Sequence, residues 1–175
     1  MSKNVVLIGM PGCGKSTLSK IIAEKLNRSV IDMDSYIEVN ENKSIKELFA
    51  ISEEHFRDME TKYSIMLGKL DSYIIATGGG IVKRKENIDN IRKNSIIIFI
   101  NRPIENIIKD IEINIRPLLA NGVDTIYKLY NERIDLYKKY CDIEVINDRE
   151  IEYVANIIIK SIKKWEINNI TEEIV

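Results

Sequence analysis

The segment Gly9-Met10-Pro11-Gly12-Cys13-Gly14-Lys15-Ser16 decides how the rest of this 175-residue sequence is interpreted. It satisfies the pattern G-x-x-x-x-G-K-S/T, in which glycines let backbone N–H groups turn inward around phosphate oxygens. The apolar run Asn4–Ile8 precedes it, and apolar residues at helical spacing follow it, namely Leu18, Ile21, Ile22 and Leu26. A strand, a phosphate-binding loop and a helix are therefore predicted in that order, with the helix N-terminus directed at the anion.

This phosphate-binding loop, residues 9–17, is predicted to hold the phosphates of ATP. Lys15 places a positive charge at the β and γ phosphates, and the Ser16 hydroxyl is the usual Mg²⁺ ligand of such loops. The rest of the nucleotide site is assigned to Gly12, Cys13, Gly14 and Thr17. Cys13 contributes a backbone N–H and is not a nucleophile. A chance match arises in on the order of one chain in a hundred, so phosphate binding is favoured over coincidence.

The amino-acid composition indicates which classes of molecule the protein binds. Lys plus Arg number 26 and Asp plus Glu 27, and a net charge of −1 provides no basic field for nucleic acid or anionic membrane. The apolar runs are too short to span a bilayer, and the N-terminal run is too short for a signal peptide. Cys13 and Cys141 show no CxxC spacing, so free thiols are expected. We expect a cytoplasmic, monomeric protein that acts on small molecules.

Alternating strand and helix patterns continue along the chain. Strands are predicted at Ser29–Asp32, 73–77, Ser95–Asn101 and 142–146. Residues 35–70 read as two or three helices, with Ser44 and Glu47 forming a capping box and Ser52 beginning another helix. The helical period breaks over residues 116–124, and further helices are predicted over 125–140 and from about residue 150. These patterns indicate one α/β domain with a parallel sheet covered on both faces.

Four further motifs carry a resemblance to a known family. They are Asp32-Met33-Asp34, Phe56-Arg57-Asp58-Met59-Glu60, Gly78-Gly79-Gly80 and Arg116-Pro117-Leu118-Leu119. Arg133 and Tyr137 follow on the next predicted helix. In this order and spacing, together with the phosphate-binding loop, the motifs resemble the shikimate kinase family. The resemblance implies transfer of a phosphoryl group from MgATP to the 3-hydroxyl of shikimate.

The same resemblance implies a fold and its moving parts. We expect a three-layer P-loop NTPase fold, with a five-stranded parallel sheet in the order 2-3-1-4-5 and helices on both faces. A helical substrate-binding insertion is expected at about residues 33–61, and a mobile lid at about residues 112–124. Arg116 in that lid is expected to reach the transferring phosphoryl group, and Asp32 to bind Mg²⁺ through water.

The acceptor side is assigned to four residues. Arg57 and Arg133 each present a planar fork of donors that suits a carboxylate. Asp34 can accept hydrogen bonds from ring hydroxyls and is a plausible base for the attacking one. The resemblance places Asp34 at the 3-hydroxyl of shikimate, both arginines at its carboxylate and the Gly79 backbone beside it. Glu60 is expected to hold Arg57 in place.

Other interpretations stay open at this point. Arg57 and Glu60 have the spacing of an exposed helix pair, the glycine triplet that of a tight turn, and Arg133 could lie on a solvated helix face. Lys109 stands where relatives often carry an arginine against adenine, and residues 147–149 match the late adenine-binding segment only loosely. The rival functions are a kinase of another metabolite, such as gluconate or a nucleoside monophosphate, and a non-catalytic ATP-binding regulatory protein.

Overall fold

A parallel sheet forms the centre of the protein in a computed structural model that describes residues 3–114 and 123–172. Its strands are β1 (Asn4–Ile8), β2 (Ser29–Asp32), β3 (Tyr73–Ala76), β4 (Ser95–Asn101) and β5 (Ile143–Ile146). They lie in the order β2-β3-β1-β4-β5, and every pairing is parallel. The predicted strand order is therefore confirmed. β1 is buried along its whole length, as its apolar sequence requires for a strand covered on both faces.

The helices cover both faces of this sheet. They are α1 (Lys15–Leu26), α2 (Met33–Glu41), α3 (Ile45–Ile51), α4 (Glu53–Leu67), α5 (Lys85–Arg92), α6 (Ile104–Asn114), α7 (Val123–Tyr140) and α8 (Ile151–Glu172). α1 and α8 pack together, while α4 packs on α5, and both α5 and α7 pack on β4. Three helices, α2 to α4, connect β2 to β3, which agrees with the predicted helical insertion between strands.

Local sequence signals explain most of the helix ends. Asn27 ends α1 in the left-handed conformation, with φ of 50°, and its N–H bonds back to the last turn. Ser44 and Glu47 form the predicted capping box at the start of α3. The Ser52 hydroxyl accepts a hydrogen bond from the His55 N–H and caps α4. Each of these residues satisfies backbone groups that the helix itself leaves unpaired.

Helix α5 is the element that sequence patterns did not predict. It begins after Arg84 without a side-chain cap, and it is only 8 residues long. Its apolar signal is limited to Ile88 and Ile91, which are both buried. The spacing of these two residues is helical, but two positions are a weak pattern. α5 forms because those isoleucines pack under α4 and on β4, which is tertiary information.

The strand register brings the carboxyl ends of β1, β2 and β3 to one edge of the sheet. Leu7 and Asp32 are both aligned with Ala76. The phosphate-binding loop, the residues after Asp32 and the glycine triplet after β3 therefore emerge side by side. β1 also pairs with β4 on its other side, so the loop leaves the sheet where the connections change direction, which is where open α/β sheets bind ligands.

Two expectations concern other parts of the chain. Residues 115–122, which contain Arg116 and most of the predicted lid, lie outside the described residues, so the lid stays a prediction. Within residues 3–114 and 123–172, no helix has both the length and the apolar character needed to cross a bilayer.

A buried asparagine fixes the opposite edge of the sheet. The Asn4 side chain is fully buried at the start of β1. Its amide nitrogen donates to the Leu70 carbonyl at 2.6 Å, and its oxygen accepts from the Tyr73 N–H at 2.9 Å. Asn4 therefore joins β1 to the turn before β3 and satisfies two backbone groups of that turn.

Replacing Asn4 with alanine is expected to destabilise the protein by about 1 to 2 kcal/mol, because the Tyr73 N–H loses its side-chain acceptor, whereas the Leu70 carbonyl keeps the Asn94 amide. Urea unfolding of the wild type and Asn4→Ala measures this difference. The control is Asn40→Ala on α2, since Asn40 is exposed and its amide donates to the Tyr36 carbonyl one helical turn earlier. Equal unfolding midpoints for Asn4→Ala and Asn40→Ala would contradict the role assigned to Asn4.

Candidate active site

The phosphate-binding loop has the backbone conformation that its glycines predict. Gly12 and Gly14 have φ of 78° and 99°, in the region that side chains rarely adopt. α1 begins immediately after Gly14, so the N-terminus of the helix faces the space that the loop encloses. Asn147, which directly follows β5, stabilises the loop conformation, because its side-chain amide donates to the Cys13 carbonyl at 2.9 Å.

Lys15 lies inside the loop. Its ammonium donates to the carbonyls of Gly9 and Met10, both at 2.9 Å, and lies 3.7 Å from the Cys13 sulfur. The side chain is buried, so its charge acts within the loop and is weakly screened by solvent. Cys13 is also buried and carries a free thiol, as predicted, and its backbone forms part of the loop wall.

Ser16 and Asp32 form an oxygen pair next to the loop. The Ser16 hydroxyl donates to Asp32 Oδ2 at 2.7 Å, while Asp32 Oδ1 accepts from the Ser35 N–H and caps α2. A hydroxyl and a carboxylate are ligands that suit Mg²⁺, which uses few protein ligands and keeps several waters. The described residues contain no group of three or more His, Cys, Asp or Glu that could form a protein-only cage. The pair therefore fits the predicted site for MgATP.

A cavity of about 330 Å³ extends the loop toward β5. Gly14 and Thr17 are among the residues that line it on the loop side, and Arg102, Asn147 and Arg149 are among those on the β5 side. Arg102 also donates to the Gly12 carbonyl at 3.3 Å and pairs with Asp110. Residues 147–149, which match the adenine-binding segment only loosely by sequence, all line this cavity. Arg102 was not predicted, although it directly follows the buried strand β4.

The glycine triplet after β3, residues 78–80, packs closely against the phosphate-binding loop, Asp34 and Arg57. A Cβ atom on Gly78 would lie 2.7 Å from Asp34 Oδ1, and one on Gly80 would lie 2.0 Å from Arg57 Nη1. A Cβ on Gly79 would lie 2.7 Å from Pro11 Cδ in the phosphate-binding loop. Any side chain in the triplet would therefore displace a site residue. The interpretation of the triplet as only a tight turn is wrong.

Asp34 lies in the first turn of α2, next to the triplet. Burial, reinforced by the nearby Glu60 and Asp32 carboxylates, raises the pKa of Asp34 to about 6, while the Lys15 charge acts in the opposite direction. Among the described residues its Oδ1 is buried without a hydrogen-bond partner. A carboxylate of this kind can accept a hydrogen bond and then a proton from an incoming hydroxyl.

Arg57 is buried on α4 and forms ion pairs with two glutamates. Its Nη1 donates to Glu60 at 2.6 Å, and its Nε and Nη2 donate to Glu53 at 3.3 and 3.1 Å. These bonds engage three of the five N–H donors of the guanidinium. Among the hydrogen bonds of the described residues, one N–H on Nη1 and one on Nη2 are left for a ligand. The exposed-pair interpretation is wrong, because the exposed fractions of Arg57 and Glu60 are 7% and 1%.

Glu53 was not predicted as part of this arrangement. It precedes Arg57 by one helical turn, a spacing that would have indicated the contact. Its carboxylate also accepts from Lys83 at 2.6 Å. The guanidinium of Arg57 lies about 5 Å from the rings of Phe49 and Phe56, which add cation–π contacts. The ion pairs and the ring contacts together fix the orientation of the Arg57 guanidinium.

Arg133 enters the site from α7. It is buried, which excludes the solvated-face interpretation, and its Nε has no partner among the described residues. The charges of Arg133 and Arg57 both act on the buried Glu60, although burial dominates and raises the pKa of that carboxyl. Tyr137, one turn after Arg133, donates to the Gly79 carbonyl at 2.6 Å.

The structure therefore gathers the predicted acceptor residues into one place. Within the described part of the chain, the buried side-chain atoms without a partner are Asp34 Oδ1, Glu60 Oε1 and Arg133 Nε. Unpaired buried polar atoms are costly, and three in one site point to a polar ligand that pairs with them. The His55 side chain is half-buried and that of Lys109 is exposed, and neither is among these buried unpaired groups.

Comparisons with known proteins agree with this geometry. The shikimate kinase family model matches residues 11–163. A shikimate kinase of Clostridium botulinum (strain Alaska E43 / Type E3) is 48% identical over 169 residues, which cover 97% of this chain and 100% of the relative. A shikimate kinase of Clostridium beijerinckii is 49% identical over 158 residues, covering 90% of this chain and 94% of the relative.

A solved structure extends the likeness to three dimensions. The shikimate kinase from Acinetobacter baumannii in complex with shikimate aligns with a TM-score of 0.83 at 25% identity, covering 97% of this chain and 95% of the other. The rival metabolite kinases and the regulatory protein are not favoured, because near-complete relatives at almost half identity are shikimate kinases. Sequence motifs, fold and site geometry lead to the same conclusion: this chain belongs to the shikimate kinase family.

Proposed function

We propose that this chain transfers the γ-phosphoryl group of ATP to the 3-hydroxyl of shikimate, giving shikimate 3-phosphate and ADP, a step of aromatic amino acid biosynthesis. The observation that carries this proposal is the buried polar cluster beside the phosphate-binding loop. It offers a carboxylate for a hydroxyl, from Asp34, and two buried guanidinium groups for a carboxylate, from Arg57 and Arg133. A hydroxylated carboxylic acid can bind both the Asp34 carboxylate, through a hydroxyl, and the two guanidinium groups, through its carboxylate.

On the donor side, the loop and its lysine would hold the β and γ phosphates. Lys15 would exchange its carbonyl partners for phosphate oxygens, with backbone N–H groups of residues 12–17 around them. Ser16 would contact Mg²⁺ directly and Asp32 would do so through water. When bound, Mg²⁺ neutralises charge on the β and γ phosphates as the bond between them breaks.

On the acceptor side, the substrate is held so that one hydroxyl faces the γ phosphate. Arg133 and the two remaining N–H groups of Arg57 would bind the carboxylate, and the Gly79 backbone would lie against the ring. Asp34 would accept the proton of the 3-hydroxyl as its oxygen attacks the γ phosphorus and ADP leaves. Positioning and charge carry most of the rate increase in such transfers.

Several parts of the proposal come from the sequence alone. The assignment of Arg116 to the transferring phosphoryl group, the lid at about residues 112–124 and the substrate-binding role of residues 33–61 stay predictions. So do the cytoplasmic location, the monomeric state and the exclusion of nucleic acid partners, which follow from charge and size.

The acceptor is tested by measuring ADP release with MgATP and a panel of shikimate, gluconate, nucleoside monophosphates or no acceptor. We expect rapid release with shikimate alone. Nucleoside monophosphates carry no carboxylate for the guanidinium pair, and gluconate is an open chain that does not hold its carboxylate and hydroxyls in fixed relative positions. Equal release without an acceptor would indicate an ATPase or a regulatory protein. Release that depends on gluconate or a nucleotide would contradict the acceptor assignment.

Asp34→Asn is expected to lower kcat by about a hundredfold or more, because an amide cannot take the hydroxyl proton. The same change should raise the thermal unfolding temperature, since it removes a buried carboxylate whose charge is poorly solvated. Steady-state kinetics and thermal unfolding of one preparation measure both effects. Near-normal kcat in Asp34→Asn would remove the base assignment. A large fall in unfolding temperature would attribute the lost activity to damaged folding.

Arg133→Ala is expected to raise the KM for shikimate by about tenfold or more while the KM for ATP changes by less than about twofold. The loss reflects a charge-assisted hydrogen bond to the substrate carboxylate. The control is Lys128→Ala, which removes an exposed positive charge from the same helix and should leave both constants unchanged. An unchanged shikimate KM in Arg133→Ala would contradict the carboxylate role.

A further inference from the structure

Tyr137 occupies an unusual place for a tyrosine hydroxyl. Its side chain is 0% exposed on the inner face of α7, one turn after Arg133. The ring stacks on Phe99 of β4, with centroids 5.1 Å apart and planes 19° apart. This stacking fixes the ring, and therefore fixes where the hydroxyl points.

The hydroxyl ties helix α7 to the acceptor site. It donates to the Gly79 carbonyl at 2.6 Å, and the nearby Arg133 charge partly opposes the rise that burial causes in the pKa of the hydroxyl. It also lies 3.9 Å from the Met10 sulfur, at the base of the phosphate-binding loop. One buried oxygen thus connects α7, the helix that carries Arg133, to the glycine triplet after β3.

A fixed carbonyl at Gly79 also fixes the next amide group. Because the peptide unit is planar and trans, the N–H of Gly80 points opposite to the carbonyl of Gly79. Gly80 lies directly against the Arg57 guanidinium, and Gly79 lies against Pro11 of the phosphate-binding loop. The direction of this one peptide therefore influences how closely both neighbours pack.

We propose that Tyr137 is a positioning residue for the acceptor, holding α7, which carries Arg133, and the peptide after Gly79 in the relative orientation that the carboxylate and ring require. This proposal rests on the proposed function. Tyr137 need not touch the substrate. Without its hydroxyl, the hydrogen bond between α7 and the glycine triplet is lost, so the acceptor site is formed for a smaller fraction of the time.

The alternative is that Tyr137 serves only the hydrophobic core. The two roles differ in what a loss of the hydroxyl changes. A core role affects stability and lowers activity without distinguishing one substrate from the other. A positioning role raises the KM for shikimate selectively, since the hydroxyl contacts Gly79 of the acceptor site and does not line the cavity near Thr17 and Arg149.

Tyr137→Phe tests the proposal because it removes the hydroxyl and retains the ring. We expect the KM for shikimate to rise by about tenfold, with the KM for ATP within about twofold of the wild-type value. The matched control is Tyr63→Phe. Tyr63 is equally buried, and its hydroxyl bonds to Glu41 at 2.7 Å, away from the acceptor residues. Tyr63→Phe should lower the unfolding temperature and leave both KM values unchanged.

A double-mutant comparison shows whether Tyr137 acts through Arg133. Tyr137→Phe should raise the shikimate KM less in an Arg133→Ala background than in the wild type. Phe99→Leu supplies a second variant, since it removes the stacking partner and keeps the hydroxyl. It should raise the same KM by a smaller factor.

The outcomes separate the two proposals. Wild-type chain that does not phosphorylate shikimate would overturn the proposed function, and this inference with it. Wild-type turnover together with an unchanged shikimate KM in Tyr137→Phe would overturn only the positioning role. Equal increases in both KM values, or the same selective increase in Tyr63→Phe, would also overturn it in favour of a structural role.

Discussion

The close approach of backbone and side chains at the glycine triplet is the constraint on which this site depends. Gly78 contacts the Asp34 carboxylate, Gly79 contacts Pro11 and Gly80 contacts the Arg57 guanidinium, each at a distance that leaves no room for a Cβ atom. The triplet follows directly from β3, whose register places it between the phosphate-binding loop and α2. Donor and acceptor residues from distant parts of the sequence can therefore meet within one small volume.

That arrangement has an energetic cost that a bound polar ligand would relieve. Asp34, Glu60 and Arg133 each carry a buried polar atom without a partner in the described part of the chain, and burial raises the pKa of both carboxyls. A protein selected for stability alone would fill such positions with apolar side chains. These atoms are consistent with the proposed anionic, hydroxylated substrate, whose binding would supply the missing hydrogen bonds.

Sequence patterns predicted the strands, two or three inserted helices and the phosphate-binding loop, because each depends on local spacing, and the family resemblance supplied the strand order. The motifs also named the acceptor residues that the fold brings together, whose substrate contacts stay predictions. They did not predict α5, whose signal is two isoleucines, or the contact of Glu53 with Arg57. Local spacing also could not decide whether Arg57 and Arg133 are solvated or buried. Their burial depends on which face of each helix meets the rest of the protein. The contact of Arg102 with the Gly12 carbonyl likewise joins residues far apart in the sequence, so local patterns do not indicate it.

The site geometry points to transfer of phosphate to one hydroxyl of a carboxylated ring. Phosphorus NMR of the product formed from ATP and shikimate measures which hydroxyl receives the phosphate. We expect a single phosphomonoester whose phosphorus couples to the proton on carbon 3 of the ring, because Asp34 is the one base beside the phosphate-binding loop among the assigned acceptor residues. Phosphate on another hydroxyl, a mixture of monoesters, or inorganic phosphate as the main product would be inconsistent with this geometry.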